Sequence, residues 1–124
     1  MIDFKNAAFA KLKQVDPSEV GTTVLSLLVP GEAVISAYKG IRDYVVFTDK
    51  RFISVNVQGI TGKKQDFTSM PYSKISVFSV ETAGTLDLDS ELELYFSGVG
   101  KVKFEFSGKS DIIQIGKLIS EHMF

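Results

Sequence analysis

The chain has 124 residues, 44% of them hydrophobic and 23% charged, which is the composition of one globular domain and not of a disordered or fibrous chain. Fourteen basic and fifteen acidic side chains leave a formal charge of -1, so no strong overall field favours nucleic acid. With no Cys and one His, His122, disulfides, thiolate metal sites, Cys nucleophiles and a multi-His centre within one chain are excluded.

The N-terminal string MIDFKNAAFAKLK has no basic segment followed by a continuous apolar run, so it does not read as a signal peptide. The longest charge-free stretch, Val20 to Gly31, contains Gly21, Pro30 and Gly31 and falls short of the ~20 apolar residues that span a bilayer. The expectation is one soluble, cytoplasmic domain over residues 1–124.

Residues 1–30 read as an N-terminal helical segment. Phe4, Ala8, Leu12 and Val15 recur at helical spacing over 2–14, which predicts an amphipathic helix. With Phe9 and its lysines, this helix packs on the parent domain or another subunit more readily than it lies in a membrane interface. A second helix is predicted to start at Asp16-Pro17-Ser18-Glu19: an Asp cap, Pro in the first turn and Glu three residues on form a capping box. Val20, Val24, Leu27 and Leu28 give it an apolar stripe, and Pro30-Gly31 stops it.

From Glu32 the hydrophobic period changes to two. Seven strands are predicted within 32–107, at 32–39, 42–48, 51–57, 65–70, 74–81, 90–96 and 101–107, most of them separated by turn-forming residues. Short, regularly spaced strands suggest an antiparallel barrel or sandwich. For the last hairpin the pattern pairs Phe96 with Val102, Leu94 with Phe104 and Leu92 with Phe106, with Glu91, Glu93, Tyr95, Lys103 and Glu105 on the outer face. At Asp49-Lys50 two registers remain open. A two-residue turn sets Tyr44 and Val46 beside the Ile53, Val55 and Val57 face and sends Phe47 and Phe52 outward, where they need a cover; a three-residue turn reverses the second strand. A final helix over 110–123 buries Ile112, Ile115, Leu118, Ile119 and Met123.

Catalytic and metal motifs are weak. Gly108-Lys109-Ser110 lies between a strand and a helix, but Lys103 stands where a phosphate loop needs its first Gly. Asp87, Asp89 and Glu91 resemble the start of a calcium loop, but Leu92 and Gly98 occupy its Gly and Glu positions; alternation with Leu88, Leu92 and Leu94 places these acids on the wet face of a strand. His122, near a helix C-terminus, reads as a mildly favourable cation there. No catalytic residue, cofactor or metal is expected, and the chain is read as non-enzymatic. Lys39, Arg42, Lys50, Arg51, Lys63 and Lys64 fall at or near turns. They are the candidate surface for an anion or a partner, if the turns meet at one barrel mouth.

The strings Phe47-Thr48-Asp49-Lys50-Arg51-Phe52-Ile53, Gln58-Gly59-Ile60-Thr61-Gly62-Lys63-Lys64, Pro71-Tyr72-Ser73-Lys74-Ile75 and Phe78-Ser79-Val80-Glu81-Thr82-Ala83-Gly84 resemble, in that order, the bacterial pleckstrin-homology-like family. The resemblance implies a mainly β fold with flanking helices: a half-open seven-stranded antiparallel barrel, capped by the C-terminal helix and preceded by N-terminal helices. It also implies closed cyclic homo-oligomers, often pentamers, formed through strand edges, with a protein partner of unknown identity. Eukaryotic relatives bind phosphoinositides through a long basic loop between the first two strands. The corresponding connection here, Lys39 to Arg42, is short, so lipid headgroup binding is the alternative function.

Overall fold

The computed structural model describes residues 1–108 and 110–124. Eight strands form one curled sheet: β1 Ala7–Val15, β2 Val34–Lys39, β3 Tyr44–Thr48, β4 Arg51–Gln58, β5 Lys64–Pro71, β6 Val77–Glu81, β7 Ser90–Phe96 and β8 Gly100–Phe106. Their order is β5-β4-β3-β2-β1-β8-β7-β6. Helix α1, Gly21–Leu27, follows a 3₁₀ turn over Pro17–Val20, and α2, Ile112–Met123, closes one corner.

The first predicted helix is a strand. β1 joins the two halves of the sheet, parallel to β8 and antiparallel to β2. Phe9 pairs with Phe104 and Leu12 with Phe106, so three residues of β1 oppose two of β8. The bulge puts Lys11 at φ 55°. It also turns Phe9 and Leu12, both buried, into successive inward residues three apart, and that spacing imitates a helix. The barrel therefore has eight strands in place of the seven expected.

The second predicted helix is shorter and broken. The Asp16 carboxylate accepts from Ser18 N (2.9 Å), and Glu19 accepts from Asp16 N (3.0 Å), so the capping box is present. It caps the 3₁₀ turn, which breaks at Gly21, φ 80°, where α1 begins. Val20 and Val24 are buried, but Leu27 is exposed.

The Asp49-Lys50 turn has two residues. Phe47 faces Phe52, Val46 faces Ile53 and Tyr44 faces Val55. Phe47 and Phe52 point into the barrel, where both are fully buried with Tyr38, Tyr72, Phe104 and Phe106. The opposite face of β3 and β4 carries Val46, Ile53 and Val55, which pack with Ala37 under Val20 and Val24. Both faces of these strands are buried, so the cover supplied by the N-terminal segment protects the aliphatic side, not the aromatic one.

In the last hairpin Phe96 faces Gly100, Leu94 faces Val102 and Leu92 faces Phe104, two residues from the predicted register. A shift of two keeps every side chain on its face, so hydrophobic alternation cannot detect it. The turn decides: Val99 N donates to Phe96 O (3.1 Å) around Gly98 at φ 75°. Gly100 then lies against Phe4, whose carbonyl accepts from Lys101 N (2.8 Å); an added Cβ there would stand 2.5 Å from the Phe4 oxygen. The region predicted as a strand from 74 opens instead with a 3₁₀ turn at Tyr72–Lys74, which carries the buried Tyr72 into the core and its hydroxyl to Thr48 O (2.7 Å).

Candidate functional site: a basic two-loop end and an acidic sheet face

The six candidate cations separate into two groups at opposite ends of β3 and β4. Arg51 is withdrawn from any binding surface. Its Nε and Nη2 donate to the two Glu32 oxygens (3.0 Å each), Nη2 also to Leu27 O (2.8 Å), and Nη1 to Ser69 Oγ (2.9 Å). The Glu32 side chain is 0% exposed. It also accepts from Thr48 Oγ1 (2.7 Å) and Val29 N (3.1 Å). Burial pushes this carboxyl up, but the hydrogen bonds from Arg51, Thr48 and Val29 N outweigh burial and hold it at about 2. Arg51 is thus a clamp between the α1 segment, the β3–β4 turn and β5. Lys50 beside it is exposed, while its N–H is held by Thr48 Oγ1 (3.0 Å).

Of the other four cations, Lys39 and Arg42 share one groove, and Lys63 and Lys64 lie at the end of the second of its two loops. The β2–β3 connection (40–43) and the β4–β5 connection (59–63) lie side by side, tied by Arg42 Nη2 donating to Gly59 O. A groove of about 480 Å³ runs between them, lined by Lys39, Arg42, Tyr44 and Ile60 among others. Lys39 Nζ stands 5.5 Å over the Tyr44 ring, a cation–π contact. Lys63 and Lys64 are exposed at the start of β5. Sequence reasoning missed the tips: Ile41 is 87% exposed and Ile60 wholly so. Their signal was a lone apolar residue set among turn formers, in Gly40-Ile41-Arg42 and Gly59-Ile60-Thr61.

The second face has the opposite charge. Glu91 and Glu93 on β7 and Glu105 on β8 share the outer surface of the sheet with Lys101 and Lys103. Lys103 Nζ lies 3.2 Å from Glu91 and Lys101 Nζ 3.5 Å from Glu93. The hydrogen bond and charge of Glu91, with the charges of Glu93 and Glu81, raise the Lys103 ammonium above its ordinary value. The adjoining β6–β7 connection (82–89) carries Asp87 and Asp89 and two leucines, Leu86 at 99% and Leu88 at 65% exposed. Asp87 and Asp89 therefore lie in a loop, not on the wet face of a strand. The Asp87 side chain accepts from Asp89 N (3.0 Å) and its carbonyl from Gly84 N (2.7 Å).

Among the described residues no three His, Asp or Glu side chains are grouped to hold a metal ion. The His122 ring nitrogen Nδ1 lies 2.8 Å from Leu118 O, and the ring packs 5.5 Å from that of Tyr72. Asp111 caps α2 by accepting from Gln114 N (3.2 Å); Lys109, and with it the phosphate-loop reading, lies outside the described residues. No helix among the described residues is long and apolar enough to cross a membrane.

A curled, mainly antiparallel sheet with its corner plugged by a C-terminal helix, and basic loops at one end, defines a pleckstrin-homology-like domain. The family model described as "Bacterial PH domain" matches residues 3–123, and the chain belongs to that family. It is 51% identical over 96 residues to the uncharacterised protein YjqA of Bacillus subtilis (strain 168), covering 76% of this chain and 77% of the relative. A DUF1696 family protein with a pleckstrin-homology domain from Shewanella loihica PV-4 is similar in structure. Its TM-score is 0.79 at 37% identity, over 93% of this chain and 99% of that one. The pleckstrin homology domain from Shewanella amazonensis SB2B gives a TM-score of 0.66 at 40% identity, over 89% and 90%.

Proposed function

We propose that this chain is a non-enzymatic protein–protein interaction module of the cytoplasm. It works as a homo-oligomeric ring, pentameric by family resemblance, closed through strand-edge contacts. The observation that carries this reading is the open sheet. β5 and β6 are its terminal strands, and among the described residues neither has a strand on its outer side. Unpaired edge N–H and C=O groups seek partners, and a head-to-tail contact between identical chains closes into a ring when its rotation divides a full turn. A ring repeats one polar surface several times and gains avidity for a partner. Light scattering at micromolar concentration tests this: a mass several times that of the chain is expected, and a strict monomer would overturn it.

A second reading takes the same basic end as a site for anionic lipid headgroups. It is favoured by Lys39, Arg42, Lys63 and Lys64 gathering at two adjacent loops; each cation near an anionic bilayer contributes about 1 kcal/mol. Binding to liposomes that grows with their anionic fraction would support it, and indifference to that fraction would dismiss it.

A further inference from the structure

We infer that the cleft between α2 and the facing strands β1 and β2 holds a linear polyamine. Its end ammonium groups sit on Asp111 and Glu121, and its aliphatic middle lies along Ile115 and Leu118. The cleft shares no lining residue with the groove of the basic loops, and the inference does not depend on the ring.

The cleft has a volume of about 380 Å³. Its helix wall is Asp111, Gln114, Ile115, Leu118, Glu121 and His122, which at about 100° per residue fall on one side of α2. Asp111 stands at the cap and Glu121 ten residues on. At a rise of about 1.5 Å per residue, their carboxylates are about 15 Å apart along the axis, with Ile115 and Leu118 between them. One Asp111 oxygen accepts from Gln114 N (3.2 Å), which leaves the other for a ligand. Glu121 is exposed. Among the described residues no Lys or Arg lines the cleft.

Tyr38 forms part of the sheet wall although it is only 4% exposed. Its ring packs on Phe47 and Phe106 inside the barrel, and its hydroxyl lies near Ser36 and Asp111, which also line the cleft. Burial and the Asp111 charge raise the phenol above its ordinary value, so the hydroxyl stays neutral. Among the described residues Ser36 is the one side chain offered to it, and a phenolic oxygen has capacity for a second partner. His122 Nδ1 donates to Leu118 O (2.8 Å), so the neutral ring keeps Nε2 as an acceptor.

These groups select the ligand. Two carboxylates and a set of acceptors, with no Lys or Arg among them, disfavour an anion. One metal ion cannot touch both carboxylates at that separation, since its ligands lie within about 2.6 Å. A chain with an ammonium at each end and methylenes between them answers every part of the cleft. A nitrogen inside such a chain would donate to the Tyr38 hydroxyl or the Gln114 amide oxygen.

The test is calorimetric titration of spermidine into the full chain at low salt. Saturable binding of one spermidine per chain is expected, with 1,2-diaminoethane, too short to reach both carboxylates, about tenfold weaker or more. Asp111→Asn, which keeps a competent helix cap, combined with Glu121→Gln weakens spermidine binding about tenfold or more. Tyr38→Phe, which alters no charge, weakens it several-fold. Absence of saturable spermidine binding in the wild type, or equal affinity for the two amines, overturns the site whether or not the variants fold. Wild-type affinity in the double variant or in Tyr38→Phe, with native circular dichroism, places the amine outside the cleft and overturns it as well.

Discussion

At one end of β3, Arg51 lies fork to fork on a carboxylate that has lost all contact with water. At the other end, Arg42 donates to a single loop carbonyl at the exposed surface, among exposed isoleucines and lysines. Both arginines border turns of the same short strand, and the sequence offers them as equivalent. The difference is one of partners. Glu32, Ser69 and the Leu27 carbonyl converge on the Arg51 guanidinium from three separate segments, so its charge is spent inside the protein. Among the described residues the four cations at the Arg42 end meet no comparable set, and all four side chains lie at the exposed surface.

Three measurements can break or sharpen that contrast. The largest effect is expected at the clamp. Arg51→Ala strands a buried carboxylate and is predicted to cost about 3–5 kcal/mol of stability, read as a fall in the urea midpoint with unchanged slope. A loss below about 1 kcal/mol would show the clamp to be an ordinary surface pair.

Acid gives the next effect. The Glu32 carboxyl ionises at about 2 in the folded chain and ordinarily at 4.5. Its ionised form favours folding, so the stability it supplies is complete above 4.5 and is lost as pH falls toward 2. That difference corresponds to about 3 kcal/mol. Asp3, Asp16 and Asp66 are also lowered, so wild type is compared with Glu32→Gln. The variant should lose distinctly less stability over that interval; an equal loss would remove Glu32 from the account.

The smallest effect belongs to the open end. Arg42→Ala removes one exposed hydrogen bond and should change stability by no more than about 0.5–1 kcal/mol. A thermal shift as large as that of Arg51→Ala would mean that the two loops are a structural joint and not a surface held ready.

Several features were legible because they depend on neighbours in the chain. The capping box needs only Asp16 and Glu19 three residues apart. The α2 stripe of Ile112, Ile115 and Ile119 needs only helical spacing, and strands from 34 to 106 follow from alternation. β1 was not legible, because a bulge at Lys11 gives Phe9 and Leu12 the interval of a helix. Nor was the register of β7 on β8, since a two-residue slip preserves both faces. At the candidate site, the six cations were readable by type and turn position, but their division into a clamp and an open end was not. Ile41 and Ile60 went unnoticed because an isolated apolar residue in a turn carries no period.

The order of residues by itself determined the local periods, the caps and the turns, and through them a curled antiparallel wall with a terminal helix. Only the tertiary structure decided which face of β3 and β4 meets the aromatic core, which arginine is neutralised, and where cations and carboxylates gather. Period and capping act over a few residues, whereas Glu32 meets Arg51 and Arg42 meets Gly59 only after the strands between them have paired and curved. Burial and charge pairing are properties of that closed surface and have no counterpart in any short stretch of the chain.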